Sequence, residues 1–280
     1  MKTPNTPNTH RSPRNTFLAI SLAVLLPLFV AQASATIVAT DSFSYTANSA
    51  LNGASGGTGW TAAWTASSAA LVADGSAQFG VGSTAAPNGN EIAYRTFDAQ
   101  SGDELYVSFT ISATGHEGND FFALWLDQAS STGGSTDTHS GLRLNVGMSS
   151  GALFARPTTG STNTIAGSSV ADGTNYHIVV RYSKGVGLSV FNTVTFWINP
   201  TSSSDTPIGT ISSVNGLASI SAVGFRGVSN EMTDRYFVND LVIATTWADV
   251  APIPEPRSVA LGAGFVALAV LMLKRALRRR

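Results

Sequence analysis

Glycoside hydrolysis needs two carboxyl groups flanking the scissile bond, about 5 Å apart for retention and about 6.5–9.5 Å apart for inversion. Alternate residues of a strand share a face, so one strand supplies such a pair as Glu-x-Asp or Glu-x-Glu. Between residues 36 and 250 the glutamates are Glu91, Glu104, Glu117 and Glu231, and two positions after each stands Ala93, Tyr106, Asn119 or Thr233. Before Asp127 the same-face positions hold Trp125 and Ala123. No single strand offers an acid pair, and a glycosidase site would have to be assembled from separate strands. The chain is therefore read as a protein without catalytic residues.

Other groups could bind without reacting. His116-Glu117-Gly118-Asn119-Asp120 is dense in ligand atoms, with Asp137 and His139 further along. Oxygen donors such as Glu117 and Asp120 on neighbouring loops are candidates for Ca²⁺, which takes six to eight of them, although EF-hand spacing is absent. The same residue types also make turns, by folding the side chain back onto the local backbone. Asp41 and Asp240 form a second candidate pair for a structural Ca²⁺. His177 alternates with apolar neighbours and is expected to face solvent near Arg181. Trp60 and Trp64 lie in a Gly-rich stretch and are the candidates for stacking on sugar rings, whereas Trp125 and Trp197 sit in mid-strand patterns that predict burial.

Composition narrows the partners. The whole chain has a net charge of −1, but residues 36–250 carry seven basic and sixteen acidic side chains, a net of −9. Such a body repels phosphate backbones, which argues against nucleic acid. Cysteine is absent, so disulfides, thiolate metal sites and cysteine nucleophiles are all excluded.

The elements that must position these residues are strands. Leu105, Val107, Phe109 and Ile111 alternate with Tyr106, Ser108, Thr110 and Ser112, and the same period of two runs through 141–148 and 175–182. Further strands are predicted at 91–97, 120–127, 190–199, 218–226 and 235–244. Ser101-Gly102, Gly133-Gly134, Asp172-Gly173 and Asn215-Gly216 read as the turns between them. Ten or so strands without interleaved helices predict an all-β, antiparallel two-sheet sandwich over residues 36–250. Asp41-Ser42-Phe43 near its start, Gly59-Trp60 and Trp64 soon after, and Tyr236 to Ile243 followed by Trp247 at its close resemble the concanavalin A-like jelly roll of laminin-G-like and legume-lectin-like modules. That resemblance implies that the first and last strands lie side by side, bringing Asp41 close to Asn239 and Asp240.

The two ends differ from this body. Residues 1–35 read as a signal peptide: Lys2, Arg11 and Arg14 precede the apolar run Phe17 to Val30, and Ala33-Ser34-Ala35 offers small residues for signal peptidase at Ala33 and Ala35. Residues 251–280 begin with a proline-rich spacer containing Pro254, Glu255 and Pro256. An apolar stretch from Val259 follows, predicted as a transmembrane helix over 259–277, and Lys274, Arg275, Arg278, Arg279 and Arg280 close the chain. Fifteen apolar residues span roughly 22 Å, short of a hydrocarbon core of about 30 Å, and snorkelling of Lys274 and Arg275 lengthens the span. Motif, short helix and basic end in this order resemble the PEP-CTERM sorting signal of exopolysaccharide-producing bacteria. The resemblance implies an inner-membrane intermediate, processing by exosortase at or near Pro254-Glu255-Pro256, and a final place at the cell surface or in the extracellular matrix. Arg257 stands where the common pattern has Ser or Thr. The function expected on this reading is a structural or adhesive module associated with extracellular polysaccharide, with a lectin-like carbohydrate-binding module as the alternative.

Overall fold

The computed structural model describes residues 37–67, 70–73, 75–80, 89–129, 143–158, 164–230 and 233–250, with the side chains of 89–91 excepted. The segments read as a signal peptide and a sorting signal, including Ala33, Ala35, Pro254, Glu255, Pro256 and the basic end, lie outside these residues, as do Asp137 and His139. Among the described residues no helix is long and apolar enough to cross a membrane.

Alternation of buried and half-buried side chains builds fifteen strands. In chain order they are β1 (Ile37–Asp41), β2 (Thr65–Ala66), β3 (Leu71–Ala73), β4 (Ser76–Phe79), β5 (Gly89–Gln100), β6 (Glu104–Thr114), β7 (Phe121–Asp127) and β8 (Leu144–Ser149). They continue with β9 (Ala152–Arg156), β10 (Ile165–Ser169), β11 (Tyr176–Lys184), β12 (Phe191–Ile198), β13 (Gly209–Leu217), β14 (Ile220–Asn230) and β15 (Arg235–Ala244), and a single turn of helix, α1 (Trp247–Val250), follows. Every named pairing is antiparallel. One sheet has eight strands, in the order β13-β12-β11-β6-β15-β4-β3 with β1 also on β15, and the other has seven, in the order β10-β9-β8-β7-β14-β5-β2. The expected all-β, two-sheet sandwich is therefore present.

A continuous core fills the space between the sheets. Phe79 and Tyr236 of the first sheet meet Phe122 of the second, with ring centroids 5.1 and 4.6 Å apart, and Phe225 packs against Phe79 and Phe122. Burying each such ring stabilises the fold by roughly 1.5–3 kcal/mol, and here the rings come from strands far apart in sequence. They fix which faces of the two sheets meet.

The first and last strands do lie side by side, with Asp41 opposite Leu241. One edge of β15 is shared: β4 pairs with Tyr236, Phe237 and Val238, and β1 takes over from Leu241 onward. Between the two, the register against β6 shifts from Asn239 to Val242, and Asp240 adopts φ +50°. Such a bulge inserts residues into one strand, bends it and re-aims the side chains around it.

The predicted turn at Asn215-Gly216 does not exist as such. Both residues belong to β13, where the pairing with β12 shifts register between Phe191 and Thr193. A β-carbon on Gly216 would lie 2.2 Å from the Phe191 carbonyl oxygen, so the glycine is needed for strand contact and not for chain reversal.

Candidate functional site

Asp41 comes from the end of β1 and is 2% exposed, and Arg95, from the middle of β5 in the opposite sheet, is 3% exposed. The Arg95 guanidinium donates to Asp41 Oδ2 at 2.9 Å, to the Gly56 carbonyl at 2.7 Å and through Nε to the Ala62 carbonyl at 2.6 Å. The same carboxylate oxygen accepts the Tyr45 hydroxyl at 2.5 Å and the Trp64 indole N–H at 2.8 Å, while Oδ1 takes the Phe43 N–H at 2.8 Å. Trp60 covers the guanidinium, its ring centroid 4.8 Å from Cζ, and donates its indole N–H to the Thr40 carbonyl. A buried charge pair is tolerated when every lone pair and proton finds a partner, and here nearly all do.

This network overturns two expectations. Trp64 is 1% exposed, stacked on Phe225 at 5.9 Å and tilted against Phe43 at 5.8 Å, so it belongs to the core and cannot stack on a sugar. Trp60 is half-buried and engaged with Arg95 and Phe97. Asp41 is no calcium ligand, because its charge neutralises Arg95 and both its oxygens already accept hydrogen bonds. Trp125 and Trp197 are buried, as their mid-strand positions predicted. Gly53-Ala54-Ser55-Gly56-Gly57 has the spacing of a nucleophile elbow, yet it lies in a loop between β1 and β2, without the strand-to-helix turn that such a serine needs.

The network also sets a pH dependence. Burial, and then the hydrogen bond and charge of Asp41, push the Tyr45 phenol up to about 12, above the ordinary 10.0. The unfolded chain ionises first as pH rises, so the stabilisation is whole below pH 10 and drains away between about pH 10 and 12. Denaturant unfolding across this window should show a smaller decline for Tyr45→Phe than for the natural protein. Equal declines in the two would place the effect elsewhere.

The second candidate metal cluster is also occupied by local bonding. Asp120 is buried, and its Oδ2 accepts the Glu117 N–H at 2.6 Å and the Tyr236 hydroxyl at 3.2 Å, with His116 Nδ1 3.6 Å away. Asp120 thus closes the loop ahead of β7, which is turn chemistry, and Glu117 is exposed. Burial lowers the His116 pKa against the opposing pull of Asp120 and Asp172, so the ring sits as a hydrogen-bonding partner of the Tyr236 hydroxyl at 2.8 Å. Among the described residues, no group of three His, Asp or Glu is placed to hold a metal ion.

Asp240 has a different setting. The bulge in β15 leaves it exposed at a cleft of about 460 Å³ on the outer face of the eight-stranded sheet. Ser108 and Thr110 of β6 and His177 of β11 line the floor, Thr40 and Ser42 one wall, and Asp249 and Val250 of α1 another. His177 is half-buried in this cleft and does not project into solvent as expected. Burial lowers its pKa while the nearby Asp240 pulls it upward. Asp249 uses one oxygen to accept the Thr246 hydroxyl at 2.7 Å, tying the helical turn to the residue before it. The cleft therefore offers one exposed carboxylate, an imidazole and several hydroxyls beside the apolar walls of Leu241, Val242 and Val250. Such a mixture suits a neutral, hydroxyl-rich molecule: carboxylates accept two hydroxyl protons at once, and C–H faces lie on the apolar side. The bulge that creates the cleft leaves a trace in the sequence: Tyr236 and Val238 keep the core side of β15, Asp240 falls where the alternation calls for an apolar residue, and Leu241 and Ile243 resume it one position out of phase.

No family model and no curated protein matches this sequence. Several solved structures are similar in shape. The carbohydrate recognition domain of Emp47p superposes with a TM-score of 0.47 at 10% identity, covering 74% of this chain and 97% of that one. Lectin II from Ulex europaeus gives 0.43 at 18%, over 65% of this chain and 91% of the other. The alginate lyase Aly36B, as a mutant in complex with an alginate tetrasaccharide, gives 0.46 at 13%, over 75% and 98%. Likeness at this level carries neither ligand nor activity to the present chain.

Proposed function

We propose that this chain is an exported protein whose β-sandwich is displayed at the cell surface or in the extracellular matrix by an exosortase-processed C-terminal segment, and serves as a structural or adhesive partner of extracellular polysaccharide. The observation that carries the reading is where the sandwich closes. Trp247 of α1 packs edge-on against Tyr106 and Trp197, at 6.2 and 4.9 Å, and Val250 is buried with them on the outer face of the eight-stranded sheet. In the sequence the Pro254-Glu255-Pro256 motif begins four positions after Val250, the last described residue. A processing enzyme needs its target outside a folded core, and a motif that follows the closing helical turn in the sequence supports this reading. Signal peptidase acting after Ala35 would leave Ile37, the first residue of β1, near the new N-terminus, so cleavage spares every described strand.

The test is processing in a host that makes exosortase. Glu255→Ala, and separately deletion of Arg278–Arg280, should leave the protein at its unprocessed mass in the membrane fraction. Mass and location equal to the natural protein's in both variants would overturn the sorting assignment.

A second reading is favoured by the cleft beside Asp240. It makes the body a lectin-like module that accepts saccharide hydroxyls at Asp240, with His177 and Thr110 beside it. Asp240→Ala should then abolish retention on a neutral polysaccharide while lowering the unfolding temperature by only a few degrees, the cost of alanine at the positive φ that Asp240 adopts, and unchanged retention would remove the cleft from consideration.

A further inference from the structure

The outer face of the seven-stranded sheet holds two of the body's few cations near a pair of aromatic rings. Phe122, Leu124, Leu153, Ala155, Val223 and Phe225 point into the core, so alternation puts Phe121 and Ala123 of β7, Phe154 and Arg156 of β9, and Arg226 of β14 on the opposite side. Across the sheet Arg226 stands opposite Ala123, Ala123 opposite Gly147, and Gly147 opposite Phe154. The two middle positions of this rung carry a methyl group and a hydrogen. They form a low floor over which long side chains from both sides can reach.

Arg156 shows what reaches over it. Its guanidinium carbon lies 5.5 Å from the Phe121 ring centroid and 5.3 Å from that of Phe154. Burial, and after it the charge of Arg226, disfavours protonation of Arg156. Nε of Arg156 is buried without a hydrogen-bond partner, and among the described residues no carboxylate is paired with Arg156. Like charges on one face repel each other. Residues 36–250 have sixteen acidic side chains against seven basic ones, so two of those seven on one face, with Arg156 lacking an acid partner among the described residues, is out of keeping with that balance.

We infer that this face binds an acidic polysaccharide, whose carboxylate or sulfate groups are held by Arg156 and Arg226 and whose sugar ring lies against Phe121. Guanidinium groups grip such oxyanions in bidentate fashion, and the aromatic ring presents a flat apolar surface to the C–H face of a pyranose. The inference rests on the reading that the body meets extracellular polysaccharide, and it names the class of polymer and the face. It concerns the sheet opposite the Asp240 cleft, so the two can be told apart.

The experiment is affinity electrophoresis of the full chain in detergent through gels holding polygalacturonate, a sulfated galactan or neutral dextran. Retardation is expected in one or both acidic gels and not in dextran, and the stronger of the two identifies carboxylate or sulfate as the group recognised. Arg156→Gln and Arg226→Gln should each weaken retardation at least tenfold, and Arg156→Lys, which keeps the charge but loses the fork, by less. Asp240→Ala should leave it unchanged. Thermal unfolding of each variant separates lost binding from lost folding, and a variant that unfolds early is replaced in the comparison by Arg156→Lys. Equal retardation by dextran and the acidic polymers, or arginine variants indistinguishable from the natural protein, overturns the inference. If dextran alone retards the chain and Asp240→Ala abolishes this, the acidic-polymer inference fails while the cleft reading stands. If no polymer retards it while Glu255→Ala still blocks processing, the inference fails and the sorting assignment survives.

Discussion

Asp41→Ala is expected to destabilise the sandwich by about 3–5 kcal/mol, lowering the unfolding midpoint by about 10 °C. The substitution leaves the Arg95 guanidinium in a site where it is 3% exposed, with the Gly56 and Ala62 carbonyls still accepting from it but no charge to balance its own. It also strips the Tyr45 hydroxyl, the Trp64 indole and the Phe43 N–H of their shared acceptor. Asp41→Asn, which keeps one acceptor and removes the charge, should recover only part of the loss, because its amide N–H₂ must face at least one of those donors. Arg95→Met inverts the problem and leaves the carboxylate with three donors, so its cost should be the smaller of the two single losses. The double variant Asp41→Ala with Arg95→Met should be less destabilised than the two single values added together, since neither charge then remains buried. Strict additivity in equilibrium unfolding would mean that the pair is not coupled.

The reach of sequence reading can be seen in the same network. The alternating strands β6, β11 and β15 were legible because one face of each is fully apolar. β9, β10 and β13 were not: β9 buries Leu153, Phe154 and Ala155 in one short unbroken run without alternation, and the residues of β10 and β13, such as Ser168, Thr210, Ser212 and Ser213, look like loop. Failing to recognise β9 hid Arg156, whose face follows from alternation only once the strand is known. Arg226 lies at the end of a predicted strand, yet the strand that carries Arg156 stands three places along the sheet from its own. The Gly-rich stretch before Trp64 was read as an exposed loop, and the structure gives those glycines another cause. A β-carbon on Gly57 would stand 2.0 Å from the Thr40 carbonyl oxygen and one on Gly59 1.9 Å from that of Val38, so the glycines let this segment lie directly against β1. Thr40 and Thr58 exchange backbone hydrogen bonds at 3.0 Å in both directions. Glycine marks close approach as readily as it marks exposure, and composition does not say which. Pairing of Asp41 with Arg95 across 54 positions left no local trace at all, because each residue satisfies its partner only after both sheets have formed.

That packing makes Trp64→Ala the second large expected effect, a loss of about 3–5 kcal/mol from removing a fully buried aromatic side chain. The cavity would open between Phe43 and Phe225, which approach one another at 6.4 Å across sheet boundaries and cannot close the gap without moving β14. Trp60→Ala should cost less, since its ring is only half-buried and its main contributions are one hydrogen bond to Thr40 and cover for Arg95. Trp64→Phe separates the two roles of the buried indole. It keeps most of the apolar surface and removes only the hydrogen bond to Asp41, which is worth about 1.5–3 kcal/mol when the acceptor is charged. If Trp64 instead touched a ligand, Trp64→Ala would abolish polysaccharide binding at an unchanged unfolding midpoint. Because Trp64 and Asp41 share a bond, their losses should also fail to add: in the Asp41→Ala background, Trp64→Phe should cost far less than it does alone. Chemical denaturation of the four proteins in that cycle measures the coupling directly, and a coupling near zero would mean that the indole N–H and the carboxylate act independently.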